Sequence, residues 1–257
     1  MSRVIRYNGN AAVVLDEMKE RIMLYDAILF DLDGTLLPMD NDVFVKGYLH
    51  LLAQTAAACG YPDERAFLKA MWKGVSDMVI NDGSCLNEKV FWKSVAALLG
   101  DGIYEHISAF DAFYGNGFRE AKKYTGPNPL AKRALELARE KGKKVILATN
   151  PLFPTVAVHA RLSWIGLKPE DFDWITDYSN SYTCKPNPAY YLEIAEKFGL
   201  DPKQCLMIGN NAQEDAQAAG SAGMNTYLVT DWLICEGDLP KCPQGSFSEL
   251  IDYLERL

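Results

Sequence analysis

The sequence predicts an α/β protein: a doubly wound parallel sheet with an all-helical insertion between its first and second strands. Three observations carry that prediction. Ala27 to Phe30 is a short unbroken apolar run, the pattern of a strand buried on both faces of a parallel sheet. From about residue 42 to 121, helical spacing repeats with no strand pattern. From residue 128 onward, strand and helix patterns alternate.

Each element follows from local chemistry. Residues 11 to 24 carry apolar positions at helical spacing, which predicts an amphipathic helix leading into the first strand. Asp31 and Asp33 follow that strand two residues apart, so an extended chain directs both carboxylates to one side as the sheet ends. Gly34 then permits a sharp turn. Pro38 to Asp42 breaks regular structure, and Asn41 or Asp42 is expected to cap the next helix. Four helices are expected over Val43–Cys59, Pro62–Ile80, Asn87–Leu99 and from Ile103 towards Gly115. Their aromatics (Phe44, Tyr48, Phe67, Trp72, Phe91, Trp92, Tyr104, Phe113) recur at helical spacing and are expected to fill a bundle core.

Beyond the insertion, Asn128–Lys141 reads as a helix stopped by Gly142, and Lys144–Ala148 as the second strand, followed by Thr149-Asn150-Pro151. A helix over 154–165, a strand at Asp173–Thr176 and a helix at Pro188–Phe198 come next. Strands at Cys205–Ile208 and Thr226–Val229 flank a helix at Asp215–Ala222. Ser246-Phe247-Ser248-Glu249 is a capping box that opens the last helix.

Bulk properties bound the function. The 257 residues are 49% hydrophobic and 23% charged, ordinary for a soluble globular protein. A formal net charge of −8 argues against nucleic acid or an anionic membrane as the partner, since either needs clustered Lys and Arg. The six cysteines are scattered without a C-x-x-C and read as reduced thiols, and the three histidines are too dispersed for a metal cluster. With no apolar run of spanning length and no signal-peptide core in residues 1 to 10, a cytoplasmic protein is expected.

Set in that context, Asp31-Leu32-Asp33-Gly34-Thr35-Leu36 resembles the first motif of the haloacid dehalogenase superfamily, most of whose members are phosphatases. Three further stretches fall in the superfamily's order. Thr149 after the second strand resembles the hydroxyl of its second motif, and Lys185, followed by Pro186-Asn187-Pro188 and a helix, resembles its third. Ile208 to Asp215 resembles its fourth, but Asn210 stands where the pattern has the first acid. The resemblance implies a Rossmann-like core of strand order 5-4-1-2-3 over residues 1–40 and 122–257. It also implies a helical cap over 41–121, as in the phosphoglycolate phosphatase and β-phosphoglucomutase branch, hinged near Pro38–Asp40 and Lys122–Gly126.

It implies a chemistry as well. A carboxylate can attack phosphorus and split hydrolysis into two steps through an aspartyl-phosphate, the role expected of Asp31. Asp33 is the expected acid and base, and Thr149 and Lys185 are expected to bind the phosphoryl group. Asn150 orients the nucleophile or substrate, or is simply a turn residue. Mg2+ is the expected cofactor, held by Asp31, a backbone carbonyl at Asp33, Asn210 and Asp215, with one negative charge fewer than the family pattern. Glu214 is expected to point to solvent from its helical turn, and Arg119, Lys122 and Lys123 to form a solvated cluster at the second hinge.

The expected function is therefore a Mg2+-dependent phosphatase acting on a small phosphorylated metabolite, as a monomer or homodimer. The alternatives are a phosphomutase of the same fold, or a binding or regulatory protein weakened by Asn210. Asp33 argues against a dehalogenase or a phosphonatase, whose patterns lack that second acid.

Overall fold

The first strand, β1 (Ala27–Phe30), is buried from end to end and lies at the centre of the sheet, as a four-residue run with no polar position must. A computed structural model of the chain describes residues 25–141 and 143–257. The helix expected over 11–24 and the stop expected at Gly142 lie outside the described residues. The other strands are β2 (Lys144–Leu147), β3 (Trp174–Ile175), β4 (Cys205–Gly209), β5 (Asn225–Val229) and β6 (Gln244–Gly245). All pair in parallel in the order β3-β2-β1-β4-β5-β6, the expected order with one two-residue edge strand added. β6 escaped the sequence reading because two residues carry no periodicity.

Register places the ends of the strands. Phe30 lies opposite Leu147 on one side and Ile208 on the other. The Asp31 amide donates to the Ile208 carbonyl at 2.8 Å, and the Ala148 amide to the Phe30 carbonyl at 2.8 Å. Asp31, Thr149 and Asn210 therefore emerge side by side at the carboxyl edge, where open α/β sheets bind ligands.

Alternate residues of the strands face opposite layers. Ala27, Leu29, Ile146, Cys205 and Met207 pack against α7 (Pro188–Phe198) and α8 (Ala218–Ser221). Ile28, Phe30, Val145, Leu147, Leu206 and Ile208 share the larger core with α5 (Ala131–Glu140), α6 (Thr155–Trp164) and α9 (Phe247–Arg256). Ser246 and Glu249 form the expected capping box of α9.

Between β1 and β2 lie α1 (Asn41–Ala58), α2 (Glu64–Val79), α3 (Asn87–Leu99) and α4 (Ile107–Gly115), with 3₁₀ turns at Asp101–His106 and Gly117–Tyr124. The cap of α1 is Asp40, whose carboxylate accepts from the Val43 amide at 3.0 Å. Neither Asn41 nor Asp42 takes that role, because the helix starts early enough to contain both. Phe44, Tyr48, Phe67, Trp92 and Phe113 are buried as expected, but Trp72 and Tyr104 are 49% and 45% exposed. Helical spacing alone does not tell a bundle's inner face from its rim. The two connections run side by side: Met39 pairs with Thr125, and the Gly126 amide donates to the Pro38 carbonyl at 2.7 Å.

Candidate active site

The loop after β1 closes on itself. The Gly34 amide donates to the Leu37 carbonyl and the Leu37 amide to the Leu32 carbonyl, both at 2.8 Å. Gly34 adopts φ 82°, and a Cβ there would collide with the Asn210 amide, so conformation and close approach both demand glycine. The turn brings Thr35 back under the carboxylates. Its hydroxyl lies 3.0 Å from Asn210 Oδ1 and 3.4 Å from Asp31 Oδ2, one donor between two acceptors. Asn210 Nδ2 donates to the Trp232 carbonyl at 2.6 Å, which fixes the amide with its oxygen towards Thr35 and Asp31.

Lys185 is fully buried and shared by two acids. Its ammonium donates to Asp31 Oδ1 at 2.8 Å and to Asp215 Oδ1 at 2.6 Å. The other Asp215 oxygen accepts from the Asn211 amide at 2.9 Å. Burial works against the Lys185 charge, yet Asp215 and Asp31 outweigh it and hold its pKa well above the ordinary lysine value. Burial also pushes the Asp31 carboxyl up to about 8 against the pull of Lys185, and the Asp215 charge adds to the rise. Gly209 makes the packing possible, since a Cβ there would collide with the Asp215 carboxylate.

Thr149 is anchored through its backbone. Its carbonyl accepts from the Thr176 hydroxyl at 2.7 Å and the Tyr190 hydroxyl at 2.9 Å. Asn150 Nδ2 donates to Glu214 Oε2 at 3.1 Å and lies 3.4 Å from the Lys185 carbonyl. Glu214 thus does not point to solvent. Asn211 accepts from the amides of Gln213 and Glu214, and residues Ala212–Gln217 wind as a wide π-type turn that carries both Glu214 and Asp215 towards the site. Burial raises the Glu214 carboxyl above its ordinary value, with the Asp215 charge adding to it against the pull of Lys185 and the Asn150 hydrogen bond.

These groups surround a pocket of about 180 Å³ lined by Asp31, Asp33, Thr149, Asn150, Asn210, Glu214 and Asp215, with Asn41, Phe44 and Val45 contributed by α1. All of the residues expected at the site except Lys185 line it, and Lys185 lies beneath, on Asp31 and Asp215. One residue was not foreseen. Arg161 of α6 is completely buried and pairs through Nη1 with Asp33 Oδ2. Its signal was an arginine on the same helical face as the buried Ala157, Val158 and Leu162. Arg119, Lys122 and Lys123 are exposed, as expected.

Charge decides what the pocket can accept. Four carboxylates line it, and the cations paired with them are Lys185 and Arg161. Asp33 Oδ1 and Asn150 Oδ1 are buried oxygens without a hydrogen-bond donor. An excess of hard oxygen acceptors suits a divalent cation such as Mg2+ better than it suits a bare anion. Among the described residues, no three His, Cys, Asp or Glu side chains form a metal cluster; both Asp215 oxygens are hydrogen-bonded and position 210 is an amide. A cation here would rest on mixed carboxylate, amide and carbonyl oxygens.

A doubly wound sheet that gathers two loop aspartates, a threonine, a buried lysine and a further aspartate at its carboxyl edge defines an aspartate-loop α/β enzyme. The chain belongs to the haloacid dehalogenase-like hydrolase family, whose model matches residues 25–223. It is 27% identical to the pyrophosphatase PpaX of Bacillus velezensis over 81% of this chain and 84% of that one. It is 25% identical to a phosphoglycolate phosphatase of Haemophilus influenzae over 80% and 86% respectively. Among solved structures, a predicted phosphoglycolate phosphatase from Haemophilus somnus aligns over 90% of this chain and 99% of that one, with a TM-score of 0.56 at 22% identity. CbbY from Rhodobacter sphaeroides in complex with phosphate aligns over 88% and 96%, with a TM-score of 0.55 at 18% identity. Both likenesses speak to the fold. No helix among the described residues is long and apolar enough to cross a membrane, and all six cysteines are free.

Proposed function

We propose that the protein is a phosphatase that hydrolyses the phosphoric monoester of a small metabolite in two steps through an aspartyl-phosphate on Asp31. The observation that carries this reading is the Asp31 carboxylate itself, aligned by Lys185 on one oxygen and facing the Thr35 hydroxyl with the other, in a polar pocket. The names of the relatives, phosphatases and a pyrophosphatase, support it. Asp31 attacks phosphorus, and Asp33 gives a proton to the leaving oxygen and later takes one from water. Lys185 and the Thr149 hydroxyl receive the phosphoryl oxygens. Asn150, tied to Glu214, holds the far wall.

Asp31, the Asp33 carbonyl and Asn210 Oδ1 would hold Mg2+, with Asp215 beside them. The ion supplies Lewis-acid neutralisation of phosphoryl charge. Residues 41–121 act as a cap whose α1 closes the pocket through Phe44 and Val45, with the paired segments at Met39 and Thr125 as hinges. The protein works on a small soluble phosphoester rather than on nucleic acid or a membrane.

The test is hydrolysis of an aryl phosphate and a panel of phosphorylated metabolites, with and without Mg2+. Release of phosphate that requires the ion supports the reading. A protein that hydrolyses no ester with any divalent metal sinks it.

Asn210 gives a separate expectation. Asn210→Asp removes the donor to the Trp232 carbonyl and sets two acceptors face to face, costing about 1–3 kcal/mol in the metal-free protein. It also restores a carboxylate beside Asp31. Thermal melting should show a lower Tm without Mg2+ and a larger Mg2+-induced rise than in the wild type. An unchanged Mg2+ response would remove Asn210 from the proposed metal set.

A further inference from the structure

Burying a whole guanidinium is costly, and an apolar side chain of similar size commonly serves a core position better. Arg161 is 0% exposed, on a helix face otherwise made of Ala157, Val158 and Leu162. Its Nε lies 3.3 Å from the Ala157 carbonyl, its Nη1 pairs with Asp33 Oδ2, and its Nη2 is buried without a partner. The guanidinium carbon lies 4.2 Å from the centre of the Phe153 ring, and Phe153 in turn packs on Tyr48, Tyr114 and Phe118 of the helical insertion. A buried charged N–H without a protein partner is the exception in folded proteins and calls for a reason beyond packing. The arrangement fixes one oxygen of Asp33 and leaves the other, Oδ1, free of protein partners.

We propose, on the phosphatase reading above, that Arg161 is a positioning residue for Asp33. Its guanidinium holds Asp33 by Oδ2, so that Oδ1 alone handles the proton. Its stack on Phe153 makes that geometry depend on how the helical insertion sits. In the first step the Asp31–phosphorus bond forms, the bond from phosphorus to the ester oxygen breaks, and that oxygen leaves with the proton from Asp33. In the second step water adds to phosphorus, its proton returns to Asp33, and the Asp31–phosphorus bond breaks. Both transfers need Oδ1 in one place, and a carboxylate swinging freely would lose part of that advantage.

The experiment uses wild type, Arg161→Met, Arg161→Lys and the inactive control Asp31→Asn on phosphate esters whose alcohols run from nitrophenol to simple alkanols. Good leaving groups depart without a proton, whereas alkoxides need one. Arg161→Met should therefore lose about 100-fold in kcat on alkyl esters but less than about 10-fold on the nitrophenyl ester, with KM changed by less than about threefold. Arg161→Lys should regain roughly tenfold of the alkyl loss. Denaturant melts of each variant check that the fold is kept. Arg161→Met leaves Asp33 without its cation and should lower the midpoint, so kcat is compared below each variant's transition, with Arg161→Lys as the variant that keeps the charge. If the wild type turns over and Arg161→Met loses activity equally on every ester, or only through KM, the positioning role is overturned and the phosphatase reading stands. If the wild type hydrolyses no ester, the phosphatase reading fails and the Arg161–Asp33 pair is a structural ion pair.

Discussion

Asp31→Asn is expected to lower phosphate release by about 10⁴-fold or more while leaving the protein folded, because on the proposed mechanism it takes away the nucleophile and its charge while keeping the side chain's shape. Asparagine matches aspartate in shape, Lys185 keeps its 2.6 Å hydrogen bond to Asp215, and the Asn210–Trp232 contact is untouched. The variant should even melt higher than the wild type without metal at pH 8. Burial raises the Asp31 carboxyl to about 8 in the folded state, above its unfolded value, so the favourable contribution of the protonated form is present below the unfolded pKa and is lost as pH rises towards 8. The asparagine side chain of the variant has no such dependence, and the gap between the two melting curves should close towards pH 4. Quenching the wild type with a radiolabelled ester should trap label in a hydroxylamine-sensitive form that Asp31→Asn does not form. A variant that keeps a tenth of the wild-type kcat would refute the role of Asp31.

The sheet was readable because each of its longer strands carries a run of buried residues, and because the chemistry falls where those runs stop. Asp31 is legible from the end of β1, whereas Thr149 and Asn210 carry a role only through the motifs they resemble; the register shows why all three meet, since neighbouring parallel strands present the residues that follow them as neighbours. Lys185 is a different case. It follows no strand directly and was found by resemblance, although what makes it reach two carboxylates is tertiary packing. Glu214 was misjudged because a normal helical turn was assumed. The wider turn set by Asn211 rotates two consecutive acids to the same side, and nothing in one sequence marks a π-type turn. Arg161 was missed because periodicity scores a charge on an apolar face as noise, whereas its partner Asp33 lies more than a hundred positions away. Trp72 and Tyr104 failed in the opposite direction, since aromatic spacing predicts a face but not whether a neighbour covers it.

Lys185→Met should have the largest effect on stability. The ammonium is the one side-chain cation in contact with either Asp31 or Asp215 among the described residues, and removing it strands two carboxylates that the fold keeps out of water. Breaking a buried pair by deleting one partner typically costs about 3–5 kcal/mol, more than the apolar gain from methionine returns. The loss should depend on pH in a defined sense. Without Lys185 nothing opposes the burial that raises Asp31, so its folded pKa climbs further above the unfolded one. Stability is then best where the carboxyl is protonated in both states and falls as pH rises through the range between them. The deficit relative to the wild type should be small near pH 4 and full by pH 8, read from urea midpoints across that range. Adding Asp31→Asn to Lys185→Met removes one of the stranded charges and should return part of the lost stability at pH 8, so the two changes are non-additive. If Lys185→Met is as stable as the wild type at pH 8, or if the double variant is the sum of the singles, Lys185 is not neutralising these acids. The same cation would then be free for the phosphoryl group alone, and burial would raise Asp31 without opposition from Lys185.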